Sequence, residues 1–400
     1  MSIPGIKISD YEYDLPSERI AIYPLANRDE SKLLVYNKGN IIHSEFRRLV
    51  DYLPSDALLV FNNTKVIRAR LQFKKDSGAQ IEIFCLEPAE PADIAMAFQA
   101  GGKVKWNCLI RNQKKWKDGA LTLTCSIKGK EITLKALLTE KEENSCVVEF
   151  LWEPAEIGFG EILDAIGHTP IPPYLERDDE EIDVERYQTV YSKYKGSVAA
   201  PTAGLHFTAN TLQALKNKGI RTTELTLHVG AGTFRPVKAD SIDQHKMHTE
   251  HFEAALETLT TIASHRGPVI AVGTTSLRTL ESLYFAALHI AQGRAPEHID
   301  QWEGFESDVQ LTRQEAYGIL AAYLEKNGKE KLEAATSIII APGYKPKVID
   351  GLISNFHQPR STLLLLIAAL IGDNWKEVYR QALEKDYRFL SYGDSSLLLP

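Results

Sequence analysis

Between residues 243 and 251, Asp243, His245, His248, Glu250 and His251 bring three imidazoles and two carboxylates into nine residues. Imidazole titrates near neutrality, so this density suits proton transfer or the binding of a polar substrate. It also invites a metal ion. His-x-x-His followed two residues later by Glu is not the His-Glu-x-x-His pattern, however, and no further ligand is marked by spacing, so no metal site is expected. Two more histidines stand among small residues. His206 lies in the stretch 199–207, where Pro201 and Gly204 make a turn, and His228 closes a run of strand type, 222–228, that breaks into Gly230-Ala-Gly232. Small residues beside a polar one let a ligand approach the backbone, as in a binding site.

A second kind of chemistry is anion binding. The apolar run 267–272 enters Gly273, Thr274, Thr275, Ser276 and Arg278, the start of a helix. The free amides and dipole of such a terminus favour a carboxylate or phosphate, and Arg278 adds charge. The structural alternative has Ser276 capping the helix and Arg278 pairing with Glu281. Asn355 and His357 follow another apolar run, 348–354, and complete the set of polar groups at strand ends. There is no Gly-x-x-x-x-Gly-Lys phosphate loop, no Gly-x-Ser-x-Gly elbow and no Gly-x-Gly-x-x-Gly opening a helix.

These groups need strands to hold them. Residues 8–64 predict a helix start at 14–20, a strand at 33–36 and an apolar strand at 58–61 that stops at Asn62, Asn63 and Thr64, read as a turn. From 66 to 150 helical periodicity disappears. Strand runs at 80–86, 103–110, 120–127, 131–138 and 145–150, separated by turn signals, predict a small antiparallel barrel or sandwich. Residues 153–186 are acidic and read as a solvated face or connection, except that the prolines of 167–174 fix a rigid path between domains. Beyond 208, helix and strand alternate: a helix capped at Thr208 or Asn210 and ended by Gly219, strands at 222–228, 267–272, 337–340 and 348–354, a buried helix at 363–371 capped by Ser361, and an amphipathic helix at 375–384. The fold class is α/β: a main domain from residues 1–65 and 153–400, interrupted by an inserted antiparallel β-barrel at 66–152.

The 400 residues are 44% hydrophobic and 25% charged, an ordinary globular composition, and the net charge of −7 argues against nonspecific coating of nucleic acid. The amino terminus lacks the zones of a signal peptide, and the longest apolar run is half a membrane span, so a cytoplasmic protein without a membrane segment is expected. Cys85, Cys108, Cys125 and Cys146 form no Cys-x-x-Cys pair and read as small apolar side chains.

Residues 59–64, 187–191, 199–207, 227–234, 247–250, 273–276, 355–357 and 387–394 together closely resemble the S-adenosylmethionine:tRNA ribosyltransferase-isomerase family of queuosine biosynthesis. The resemblance runs nearly end to end and departs from the family pattern within 98–117 and 304–342. It implies a monomeric enzyme that uses no cofactor and consumes S-adenosylmethionine. The ribose would be transferred and isomerised onto the aminomethyl-deazaguanine at the tRNA wobble position, giving epoxyqueuosine and releasing adenine and methionine. Such chemistry needs a base at the carbon beside the sulfonium, an acid for adenine and an unprotonated amine. His228, His248 and His206 are the candidates, with Glu250 as orienting carboxylate. The donor's carboxylate would rest on Thr275, Ser276 and Arg278, its sulfonium and sugar near Gly230 and Gly232, with Asn355 and His357 also at the substrate. For the RNA, residues 103–117 hold six Lys or Arg and no acid. Lys114 and Lys115 could meet phosphates and Trp116 could stack a base or fill the barrel core. A Rossmann-type methyltransferase and a noncatalytic tRNA-binding protein are the alternatives.

Overall fold

Leu58–Asn62 is an apolar run closed by one amide, and a strand of that composition must be covered on both faces. In the computed structural model, which describes residues 5–75, 77–116, 119–142, 145–230, 237, 239–306 and 310–400, it lies inside a ten-stranded sheet. Numbered along the chain, the strands are β1 (Lys32–Asn37), β2 (Asn40–Glu45), β3 (Leu58–Asn62), β4 (Thr64–Val66), β5 (Arg70–Lys74), β6 (Gln80–Glu90), β7 (Lys103–Arg111), β8 (Leu121–Ile127) and β9 (Lys130–Lys141). They continue as β10 (Cys146–Glu153), β11 (Tyr194–Ser197), β12 (Arg221–Leu227), β13 (Glu250–Ala255), β14 (Val269–Val272), β15 (His298–Ile299), β16 (Lys331–Thr336), β17 (Gly351–Asn355) and β18 (Ser395–Leu399).

The large sheet has the order β15-β16-β13-β12-β3-β14-β17-β18-β1-β2. Its centre, β12-β3-β14-β17, is parallel, and β18 pairs parallel with β1, so both chain ends build one sheet. Alternation along each strand sorts side chains to two cores. Leu58, Val60, Val269, Ala271 and Leu352 pack with the helices Thr274–Ala291 and Thr362–Ile371, whereas Leu59, Phe61, Ile270, Val272 and Ile353 pack with Ala209–Asn217. Ser361 and Thr208 cap their helices by accepting the N–H groups of Leu364 and Thr211, and Gly219, at φ +77°, turns the chain out of the second. Among the described residues no helix is long and apolar enough to cross a membrane.

The second sheet, β5-β6-β7-β10-β9-β8, is wholly antiparallel and nearly closed, since β5 and β8 approach without pairing. Trp106, Phe150, Leu134, Cys85 and Cys108 fill it. Its core runs on into the helix Phe159–Ile166 through Phe159, Ile162 and Leu163. The expected α/β class with an inserted barrel-like sheet therefore stands, and each expected strand from 80 to 150 is present, with β5 and the helix Ile94–Gln99 in addition.

Several local expectations do not hold. The helix start at 14–20 is only a 3-10 turn, Ser17–Arg19, because Ile20 is drawn into a bridge with Phe389. The strand expected at 337–340 lies earlier, at β16, whose alternating residues pair with β13, while the apolar residues after it run buried and irregular. The acidic connection is partly interior. Asp183 is fully buried, gripped by both terminal nitrogens of Arg177 at 2.6 and 2.8 Å and by the Tyr392 hydroxyl at 2.7 Å. Last, β18 has no counterpart among the expected strands.

Glu281 shows how the helix Thr274–Ala291 fixes the approach to β17. Its fully buried carboxylate accepts the Tyr344 hydroxyl and the N–H groups of Lys347, Val348 and Ile349 at 2.8, 3.0 and 3.3 Å. Glu281→Ala should cost about 3 kcal/mol or more in denaturant unfolding, since it strands several buried donors. A loss below about 1 kcal/mol would show that water replaces the carboxylate.

Candidate active site

The parallel strands β3, β12, β14 and β17 all end at one edge of the sheet, which in open α/β sheets is where ligands bind. Polar or small residues come within three positions of each end: Asn63 and Thr64, His228 and Gly230, Gly273 and Thr274, and His357. Asn62 fastens two of these ends, its Oδ1 accepting the N–H groups of Leu227 (3.1 Å) and Thr64 (3.2 Å) and its Nδ2 donating to the Leu227 carbonyl (3.0 Å).

Three cavities ring this edge. The first, about 80 Å³, is walled by residues 199–203, Gly273 to Thr275, Asn355, His357 and Ser391. Thr275 Oγ1 is buried here without a hydrogen-bond partner. The second, about 130 Å³, lies across Thr362 and Leu363 and is lined by His245, His248, Arg278 and Ile338 to Ile340. The third, a cleft of about 510 Å³, runs between residues 86–94 of the barrel region and the edge formed by His228 to Gly230 and β13.

Glu250 is the wall between the second and third cavities. Only 2% exposed, it accepts the Gly230 N–H at 3.2 Å and pairs with Arg278 Nη1. His248 Nε2 lies 3.1 Å from its Oε1. Burial alone would raise this carboxyl, but the Arg278 guanidinium and His248 outweigh that and bring it down to about 2. Arg278 is 7% exposed, gives Nε to the Ile338 carbonyl at 3.2 Å and, among the described residues, has no hydrogen-bond partner for Nη2. Its partner is thus Glu250, not Glu281.

His228 stands across the cleft mouth with Nδ1 3.2 Å from Thr64 Oγ1. Gly196 lies flat against the ring, and a Cβ there would come within 2.6 Å of Nδ1. Burial lowers His228 to about 4, with His251 and Lys331 adding to the effect. His206 is enclosed, its Nδ1 2.7 Å from Ser31 Oγ and its Nε2 3.3 Å from Asn355 Oδ1. Burial, reinforced by Arg388 and Arg28 against the Asn355 contact, lowers it to about 4. His357, with Nε2 on Ser354 Oγ at 2.8 Å, falls to about 3 by burial. At neutral pH these three imidazoles are uncharged and able to accept a proton.

Of the expected site residues, His228, Gly230 and Glu250 meet on the cleft, His248 and Arg278 lie one wall away, and Thr275, Asn355 and His357 line the first cavity. Ser276 points inward, its Oγ donating to the Val272 carbonyl at 2.8 Å, so the side chains of Ser276 and Arg278 do not share a cavity with Thr275. Gly232 lies outside the described residues. Lys114 and Lys115 are exposed on the turn after β7, whereas Trp116 is 3% exposed and donates Nε1 to the Gly119 carbonyl, its ring in the barrel core. Among the described residues no group of three or more His, Cys, Asp or Glu is placed to hold a metal ion. Sequence reasoning passes over Thr64, Ser197, whose Oγ accepts the Val229 N–H at 2.7 Å, and Tyr174, which reaches Ser391 beside the first cavity. For Thr64 the available signal is its position at a strand end, which a turn explains equally well.

The sequence profile of queuosine biosynthesis proteins matches residues 8–398 of this chain. The chain belongs to that family. It is 37% identical over 98% of its length to the S-adenosylmethionine:tRNA ribosyltransferase-isomerase of Thermotoga petrophila, all of which is covered. Among solved structures, the S-adenosylmethionine tRNA ribosyltransferase of Thermotoga maritima is similar at 28% identity and a TM-score of 0.47, covering 98% of this chain and 100% of that one. Membership makes the protein an enzyme of the transferase and isomerase class.

The buried histidines tie stability to pH. The folded pKa of His206, about 4, lies below the ordinary 6.5, so the unfolded chain binds more protons between those values and stability falls as pH drops through that window. From pH 7 to pH 5 this group alone should remove about 2 kcal/mol. His206→Gln should flatten the measured dependence by that amount; a variant with the parent's dependence would show that His206 titrates normally.

Proposed function

We propose that this enzyme transfers and isomerises the ribosyl group of S-adenosylmethionine onto the aminomethyl-deazaguanine at the tRNA wobble position, giving epoxyqueuosine-tRNA and releasing adenine and methionine. The observation that carries the reading, beside family membership, is the neutral imidazole of His228 and the anionic carboxylate of Glu250 on one cleft, joined by Gly230. A volume of about 510 Å³ suits a nucleoside-sized ligand. His228 accepts a proton, from the carbon beside the sulfonium or from the incoming amine, and Glu250 favours the cationic sulfur while holding His248 as a second proton-transfer group. His206, closed in by Ser31 and Asn355, positions Asn355 at the first cavity. The donor's carboxylate meets the free Nη2 of Arg278, with Thr275 and His357 contacting the remainder of the donor. Lys114 and Lys115 offer phosphate contacts, since Lys103 and Lys105 are already paired with Glu149 and Glu90. The enzyme acts as a monomer in the cytoplasm and takes S-adenosylmethionine as a substrate, with no further cofactor.

Incubation with S-adenosylmethionine and tRNA carrying the modified base should yield adenine and methionine by mass spectrometry. S-adenosylhomocysteine would indicate a methyltransferase instead, and no small-molecule product a binding protein. His228→Ala should lower turnover by about 10² or more while the donor still binds; near-parental turnover would remove it from the proton path.

Arg278 needs a variant that keeps Glu250 paired. Arg278→Lys preserves that charge but not the free Nη2, and should weaken donor binding by about 1 to 3 kcal/mol in calorimetry with little change in melting temperature. Unchanged affinity would move the carboxylate to another site.

A further inference from the structure

Arg28, Arg186 and Arg388 come from three distant parts of the chain and line one shallow depression. Each is braced by main-chain carbonyls. Arg28 donates to Gln188 (2.5 Å) and Glu185 (2.9 Å), Arg186 to Leu25 (2.5 Å) and Ala26 (3.2 Å), and Arg388 to Tyr392 (3.0 Å) and Tyr23 (3.3 Å). Carbonyls orient a guanidinium but leave its charge uncompensated. Among the described residues, none of the three has a carboxylate within ion-pair distance, although the other site arginine, Arg278, has one. Two acids act on them from a distance without pairing: Asp394, whose carboxylate is engaged by the N–H groups of Lys32 (2.9 Å) and Arg388 (2.7 Å), on Arg388, and Glu185 on Arg28. Among the described residues, the buried Arg186 Nε has no hydrogen-bond partner. Burial lowers Arg28, and the neighbouring Arg186 adds to this against the opposing effect of Glu185. A brace alone would need only neutral donors, so three unpaired cations on a chain of net charge −7 point to an anion.

The depression also has an address. Ser391 lines both it and the first cavity of the candidate active site, and His206, on its floor, contacts Asn355 of that cavity. The depression is open to solvent and has a volume of about 20 Å³, room for about one water-sized atom. A chain-bound phosphate that inserts one non-bridging oxygen and leaves its ester oxygens outside fits that shape.

We infer that Arg28, Arg186 and Arg388 form a docking site for a backbone phosphodiester of the RNA substrate, beside the nucleotide that enters the active site. The inference rests on the tRNA reading above and adds to it where the RNA strand is gripped, away from the barrel lysines.

Arg28→Gln, Arg186→Gln and Arg388→Gln, made singly, should each weaken tRNA binding several-fold at 50 mM salt. Each should also reduce the log-log salt slope, by no more than about 0.7, the value for losing one single-strand phosphate contact outright. S-adenosylmethionine binding by calorimetry should stay at the parent's value. Because the three side chains brace different loops, loss of fold in one variant leaves the others to decide. A folded variant with parental tRNA affinity and slope overturns the site. Tight binding of inorganic phosphate to the parent, lost in the variants, would assign the depression to the free ion and overturn the RNA assignment. Failure of the parent itself to bind or modify tRNA would instead refute the reading of the substrate, which keeps the two outcomes apart.

Discussion

The candidate site depends on one buried ion pair, Glu250 with Arg278. Taking both charges out of water is costly, and their attraction offsets that cost only because further partners satisfy the remaining atoms. Glu250 accepts the Gly230 N–H and faces His248, while Arg278 donates to the Ile338 carbonyl. One pair therefore fixes the start of β13, the turn after β12, the helix Thr274–Ala291 and the irregular run after β16 relative to one another. Removing either partner would leave an unpaired interior charge, so the arrangement tolerates small adjustments poorly and holds the cleft wall rigid.

That rigidity bears on the histidines. Enclosure keeps His206, His228 and His357 neutral, but they are enclosed in different ways. His206 and His357 have polar side chains of the fold on their ring nitrogens, as structural histidines do. His228 has Thr64 on Nδ1, and its ring lines the open cleft. The same burial that stabilises the neutral form thus produces two supports and one reactive candidate.

The two sheets meet at the candidate site. The cleft is lined from one side by residues 86–94 of the barrel region and from the other by the strand ends of the large sheet, and Gly196, next to β4, packs on His228 without a side chain. Insertion of a small antiparallel sheet into an α/β chain is in this way a means of walling a strand-end site, with the barrel core around Trp106 and Phe150 continuing into the helix Phe159–Ile166.

Much of this was legible in the residues themselves. Period-two alternation from 80 to 150, the apolar runs of β3, β14 and β17, and the caps at Thr208 and Ser361 are local signals, since neighbouring side chains alone decide which faces are apolar and where a helix can begin. The placing of His228 and Asn355 at strand ends came from the same signals. Tertiary structure decided which faces met. Nothing near Glu250 announces Arg278, 28 residues away, as its partner, and nothing in the short apolar ending of β18 shows that it will pair with β1 across the whole length of the chain. The inward turn of Ser276, the enclosure of Trp116 and the gathering of Arg28, Arg186 and Arg388 are equally nonlocal. Periodicity records how one segment divides between water and interior; the charge a buried group carries is set by whatever distant segment closes over it.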